Sequence, residues 1–221
     1  MEFVATIDAA RRLGVTTRQV QYLVARGDLS PVARGLIDRA SLDRHIATRK
    51  GSRYRAWSET TAWAAVAMLS DLSAPWLGPT QRSRLRNTLR QLTGVELVSR
   101  TRSRAQVRRY QGHSRAAERL RHDVVDTSGA AGALGLIEAA DRVDGYVAVH
   151  ELNKLVAHHA LVEDADGQYT LRATEMDLAT VGALAENAPV LTALDLAESL
   201  YIRERQAGLN FLDDRLKRLN A

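Results

Sequence analysis

Residues 6–42 read TIDAARRLGVTTRQVQYLVARGDLSPVARGLIDRASL. Thr6 is a candidate cap for a first helix, with Asp8 near its positive end. Ala9, Ala10 and Leu13 form an inner face, and Gly14 stops the helix. Thr16 then caps a second helix. Gly27 stands where a helix takes a left-handed C-terminal residue. Val20, Leu23 and Val24 recur at i, i+3, i+4 and predict the buried side. Thr17, Arg18, Gln21, Tyr22 and Arg26 are left on the outer sides. The segment from Leu29 to Ile37 turns at Arg34-Gly35 and reads as a small β-hairpin. Ser41 is the expected cap of a short helix from Leu42 to about Arg49.

Two short helices joined by a tight Gly-containing turn predict a helix-turn-helix, whose second helix can enter a DNA major groove. The hairpin reads as a wing. The same pattern also fits a small helical hairpin that binds protein, but Arg18, Gln21, Tyr22 and Arg26 on one outer surface favour DNA. These residues resemble the winged helix-turn-helix of excisionases and MerR-type regulators, through AARRLGV at 9–15, the polar second helix, GDL at 27–29 and the wing turn. The resemblance covers about the first fifth of the chain. It implies that the outer face of the second helix reads DNA and that Arg34 reaches a phosphate or the minor groove.

The 221 residues have room for one large or two small domains, and 45% hydrophobic residues suffice for a core. Aromatics are only 5%, so that core must be built mostly of Leu, Val and Ala. The absence of cysteine excludes disulfides and thiolate metal sites. MEFVATIDAARR has no apolar signal core, and no run approaches a membrane span. No membrane association and a cytoplasmic location are expected.

Charge is distributed unevenly. Residues 1–81 carry a net +4, residues 82–121 a net +10, with 12 Arg against Glu96 and Glu118, and residues 122–221 a net −9. The basic first half favours a polyanion and the acidic remainder favours something else.

KGSRYRAW at 50–57 is charged and aperiodic and reads as a linker. Its Arg49, Lys50, Arg53 and Arg55 surroundings can follow a DNA backbone or simply stay solvated. The expected domains are therefore residues 1–50, binding DNA, and 56–221. Ser58 opens a helix with Trp63, Val66, Ala67 and Leu69 as its apolar body, broken by APWLGP at 74–79, whose Trp76 and Leu77 should enter a core. Thr80 is the expected cap of a helix ending at Gly94, with Leu85, Leu89 and Leu92 inside. Arg82, Arg86 and Arg90, spaced by four, lie along another face and are candidates for tracking phosphates or for an ordinary solvated face. Residues 100–111 read as a loop entering a strand. Ser114 is the expected cap of a short helix. Val124-Val125 and Gly145–Val147 read as strands, 130–140 as a helix, and 151–159 as a helix with Leu152, Leu155 and Val156 inside. Residues 160–162 and 169–172 read as a hairpin around Asp166-Gly167. Asn187 with Pro189 marks another helix start. Leu209, Leu212, Leu216 and Leu219 give the last helix a stripe that fits either a dimer seam or packing on its own domain. The expected fold is mainly α with small β-hairpins, in the α+β class.

Signals for chemistry are weak. GAAGALG at 129–135 lacks the spacing of a phosphate loop and reads as a small-residue helix. HELNK at 150–154 has Lys154 where a zincin places its second histidine, and His158 and His159 do not restore that spacing. No catalytic residue, cofactor or metal is expected, and the chain reads as a non-enzyme. An enzyme acting on nucleic acid through the basic middle would need an acidic metal-binding cluster near it, which the sequence lacks.

Beyond the first fifth, the succession of SETTAWAAVAMLS, APWLGPTQRSRLRNTLR, a Ser-Gly segment, DGYVAVHELNKLVAHHAL and PVLTALDLAES…RERQAGLNFL resembles AbiEi-type antitoxins of type IV toxin–antitoxin pairs. The N-terminus departs from that family toward excisionases. The resemblance implies a repressor of its own promoter, bound to inverted repeats in double-stranded DNA. It also implies a C-terminal domain that counteracts a nucleotidyltransferase toxin. A homodimer on the repeat is the corresponding assembly. A MerR-like regulator without a toxin is the alternative, although the place of its long dimerising helix is taken by a short helix and the linker.

Overall fold

The computed structural model describes residues 3–25, 29–48, 55–137, 140–199 and 201–219. It is of mixed α+β type. Residues 1–52 make up the bulk of one compact unit, and 53–197 with 201–221 make up another. Among the described residues no helix is long and apolar enough to cross a membrane.

The first unit runs β1 (Phe3–Ala5), α1 (Thr6–Leu13), α2 (Thr17–Ala25), β2 (Pro31–Ala33), β3 (Leu36–Asp38) and α3 (Arg39–Thr48). Its antiparallel sheet has the order β1-β3-β2, with Val4 opposite Ile37. Gly14 ends α1 at φ +64, a conformation that costs a residue with a Cβ far more. Ala9, Ala10, Leu13, Val20, Leu23, Leu29, Ile37 and Leu42 close one small core. This is the face the i, i+3, i+4 spacing predicts. Strand β1 was not predicted, because three residues are too few for a period to show.

Two caps differ from expectation. Ala5, not Thr6, holds the cap position of α1, and no side chain caps it; the Thr6 N–H donates to the Gly35 carbonyl instead, at 2.8 Å. Asp38, not Ser41, opens α3: its carboxylate accepts the Ser41 N–H at 2.8 Å. Ser41 is buried one turn inside, where its hydroxyl donates to the Asp38 carbonyl and accepts the Ser30 N–H. Gly27 and the linker residues Arg49, Lys50 and Arg53 lie outside the described residues.

The second unit places α4 (Glu59–Leu69), α5 (Pro79–Leu89) and α6 (Gly94–Thr101) before β4 (Gln106–Gln111). Then come α7 (Ala116–Asp123), β5 (Val125–Asp126), β6 (Val143–Ala148), α8 (Leu152–His158), β7 (Val162–Glu163) and β8 (Tyr169–Thr174). Helices α9 (Leu178–Asn187), α10 (Val190–Ala197) and α11 (Ile202–Arg218) finish the chain. The sheet order is β5-β6-β8-β4-β7, with β6 and β8 parallel and the other pairs antiparallel.

Side chains alternate across this sheet. Val143, Val147, Tyr169, Leu171 and Ala173 pack with α7 and α8 through Ala116, Ala117, Leu120 and Leu152. Tyr146 faces the opposite side, where Trp63, Val181, Leu184, Leu191 and Leu194 form the larger core. Helix α4 is buried from Ala62 to Ala67, since it is surrounded rather than amphipathic. Leu212 and Leu216 of α11 are buried in the same core, with Leu209 and Leu219 partly buried against it, so the leucine stripe packs within its own unit. Gly208 lets α11 approach α10: a Cβ there would lie 2.4 Å from the Ala193 carbonyl oxygen.

Several predicted boundaries move for identifiable reasons. Pro79, not Gln81, starts α5, with Thr80 inside it and the Gly78 N–H held by Gln81 at 3.2 Å. The helix stops at Leu89, so Leu92 lies beyond it, and Gly94 begins α6 behind a Thr93–Glu96 capping box. Most of residues 100–105 is helical, the end of α6 followed by a 3₁₀ turn. Ser114 makes no side-chain cap for α7. Residues 128–134 form a 3₁₀ segment closed by Gly135 rather than an α-helix. The predicted 160–172 hairpin does not form: β7 and β8 both pair with β4, from opposite sides.

Candidate nucleic-acid interface

Helix α2 starts behind Thr16, whose hydroxyl accepts the Gln19 N–H at 3.2 Å. Burial of Val20 and Leu23 fixes its rotation. At 100° per residue, Thr17, Arg18, Gln21, Tyr22 and Ala25 then share an arc of roughly 140° on the side away from the core. All five are exposed, Tyr22 by 53%. The arc offers a guanidinium, an amide, a hydroxyl and a phenol, the groups that donate to phosphates and base edges. Arg26 lies outside the described residues.

Arg34 is exposed in the turn between β2 and β3. Gly35 takes φ +81, and its carbonyl holds the start of α1 through Thr6. The turn that presents Arg34 is thus fixed to the first helix by a main-chain bond. Asp8, the acid in the first turn of α1, is paired with Arg11 at 2.7 Å.

The predicted stripe Arg82, Arg86 and Arg90 belongs to the second unit and is not uniform. Arg82 is half-buried and donates to the Ala74 carbonyl at 3.3 Å, holding the turn that precedes α5. Arg90 caps α5 and donates to the Leu219 carbonyl at 3.3 Å, at the end of α11. Arg86 is exposed on the helix between them. Other members of the basic 82–121 block are likewise engaged internally: Arg121 holds the Ala140 and Arg142 carbonyls at 2.7 Å, and Arg102 holds that of Ser99.

No family model, curated protein or solved structure matches the chain. The reading of the interface therefore rests on its residues and their placement.

A buried charged cluster in the second unit is one that local sequence pattern does not reveal. Arg104, Arg172 and Asp195 are each at most 3% exposed. Asp195 Oδ1 accepts from Arg104 at 2.7 Å and from the Tyr146 hydroxyl at 2.7 Å, with Arg172 Nε at 3.2 Å, and Oδ2 accepts from Thr127 at 2.7 Å. Arg172 also grips Asp144 with two bonds, at 2.6 and 3.0 Å. Burial pushes the Tyr146 phenol well above its ordinary pKa, with Asp195 adding to the rise and Arg104 opposing it, so it stays a donor. Two guanidiniums face two carboxylates, and the named bonds join α10, β6, β8 and the segment before β4. The cluster fixes the sheet against its helices. Its one readable signal was Asp195, the single charged residue in VLTALDLA.

Of the motifs weighed for chemistry, His150 of HELNK is exposed beside Glu151, at 3.9 Å, with Lys154 on the other side of that carboxylate at 3.3 Å.

Proposed function

We propose that the chain is a sequence-specific DNA-binding repressor whose first unit is a winged helix-turn-helix. The observation that carries this reading is the exposed arc of Thr17, Arg18, Gln21 and Tyr22 on a helix whose opposite face is locked by Val20 and Leu23. Helix α2 is the recognition helix, and Arg34 at the hairpin turn contacts a phosphate or the minor groove. One such module buries too little surface for tight binding alone, so two copies sit on an inverted repeat about one helical turn, or a multiple, apart. By its resemblance to AbiEi-type antitoxins, the repressor acts on its own promoter in the cytoplasm, and its acidic C-terminal half, residues 122–221, docks a nucleotidyltransferase toxin.

A MerR-type activator is less well supported. It needs a long dimerising helix directly after the hairpin, whereas α3 has ten residues and residues 55–58 are not helical. Gel shifts on the chain's own promoter test the main reading: the wild type should select it over random DNA, and Arg18→Ala and Gln21→Ala should lose that selectivity. Unchanged selectivity in both variants would reject the assignment of α2. Co-expression with the product of the neighbouring gene tests the antitoxin role. If toxicity is not relieved, a repressor without a toxin partner is left.

A further inference from the structure

Three metal-ligating side chains meet where α7 and α8 end. Asp123 is the last residue of α7, His158 is the last of α8, and His159 is its C-cap. A carboxylate oxygen of Asp123 and one ring nitrogen of each histidine all lie within 4.8 Å of one another. His159 is anchored: its side chain is 1% exposed, and its Nε2 is 2.7 Å from Asp123 Oδ2. The His158 ring stands edge-on to it, centroids 4.9 Å apart, on the exposed side. The cluster is thus held on its inner side and open to solvent on its outer side.

The backbone fixes this placement. Ala160, directly after His159, takes φ +51, a region that residues with a Cβ seldom occupy. The following Leu161 N–H returns to the Val156 carbonyl at 3.0 Å, and Leu161 is itself buried. The backbone that carries His159 is therefore tied to a core leucine. The electrostatics ask for a cation. Both helices bring their C-terminal, partially negative ends here, and Asp123 adds a full negative charge at an end where the dipole disfavours an anion.

We propose that Asp123, His158 and His159 bind a zinc-class divalent ion that clasps α7 to α8. Two imidazoles and a carboxylate are a borderline-soft N₂O set, suited to zinc, with the fourth tetrahedral position left for water. Donors about 2.1 Å from one ion stand roughly 3.4 Å apart, so Asp123 and His159 open slightly from their 2.7 Å contact while the wider pairs, all within 4.8 Å, close. His159 exchanges its hydrogen bond to Asp123 for a bond to the metal. Both histidines bind as neutral imidazoles, so binding releases any proton they carry. HELNK did not reveal this, because His150 lies outside the cluster and Asp123 comes from another helix.

The test uses the full chain, stripped with a chelator and titrated with Zn²⁺ against a chromophoric competitor, and with Co²⁺ followed by its visible absorption. The expected result is one ion per chain, a tetrahedral Co²⁺ spectrum, and a higher unfolding temperature with Zn²⁺. His158→Ala removes an exposed ligand and should weaken binding by at least the ~10–100-fold that loss of an outer-shell partner costs. Asp123→Asn should weaken it as well, and His113→Ala and His150→Ala should not. Failure to bind one ion per chain overturns the proposal. So does binding that His158→Ala leaves unchanged, which would place the ion at other surface histidines.

Discussion

The arginines of the two units differ in what they do. On α2 and the β2–β3 turn, Arg18 and Arg34 stand exposed on a scaffold held by an apolar core and main-chain hydrogen bonds. In the second unit, where arginine is densest, Arg104 and Arg172 are fully buried, and Arg82, Arg90, Arg102 and Arg121 hold main-chain carbonyls. Local charge density is therefore a poor guide to a binding surface. The +10 of residues 82–121 is in good part a set of internal fasteners, while Arg18 and Arg34 of the first unit face solvent.

The contrast is broken most directly at Asp195. Removing it leaves Arg104 buried without its carboxylate, and cutting one partner from a buried pair costs about 3–5 kcal/mol. Asp195→Ala should lower the stability of the second unit by that amount in urea denaturation. Arg18→Ala should stay within about 0.5 kcal/mol, as surface changes do. If both variants fall in the same range, the division into fastening and exposed arginines is wrong.

The exposed set is sharpened by the base-contact test. A lost base-edge contact from Arg18 or Gln21 should reduce discrimination between operator and random DNA by about 1–3 kcal/mol, read as the ratio of two gel-shift affinities. Arg34→Ala should instead weaken both DNAs if it meets a phosphate. A loss of discrimination with Arg34→Ala that matches that of Arg18→Ala would move sequence reading to the hairpin.

Tyr146 gives the buried set a signature in pH. Its pKa is raised in the folded chain, so its contribution is fully present below about pH 10 and is lost as pH rises toward the folded value. Above pH 10 the unfolded chain releases a proton that the folded chain keeps. Stability should then fall by up to about 1.4 kcal/mol per pH unit for this group. Tyr146→Phe should flatten that alkaline slope while losing the hydroxyl bond to Asp195. An unaltered slope would mean that other tyrosines, with Tyr110 also raised by burial, carry it.

The sequence was most legible where one short period decided one face. The α1 and α2 cores, Gly14 as a stop, the turn at Arg34-Gly35 and the leucine stripe of α11 all depend on neighbours within a few residues. What was not legible depends on distant partners. Asp38 rather than Ser41 caps α3, and Ser41 one turn inside holds the N–H of the distant Ser30. The expected 160–172 hairpin loses to β4, which inserts between its two strands. Arg104 looked like one more residue of a basic loop, and only Asp195, 91 positions away, makes it a core residue. For the candidate interface, residue types and helix phase were readable, while the unequal roles within the Arg82, Arg86 and Arg90 stripe were not.

That stripe supplies the smallest effect and the closest test of the comparison, since both kinds of arginine lie on one helix. We propose that it adds electrostatic affinity for DNA without reading sequence, and its three members should separate. Arg86→Gln removes an exposed charge with no hydrogen bond or ion pair among the described residues. It should lower the slope of log affinity against log salt by about 0.9 if it meets one phosphate, equally for operator and random duplexes. Arg82→Gln and Arg90→Gln each remove a charge and also a bond to a carbonyl, at Ala74 and at Leu219. They should therefore cost about 1 kcal/mol of stability, which Arg86→Gln should not. The triple variant should weaken both duplexes alike. Weakening confined to the operator would assign base contacts to α5, and no change in either duplex would leave Arg86 a solvated charge, with the DNA surface confined to the first unit.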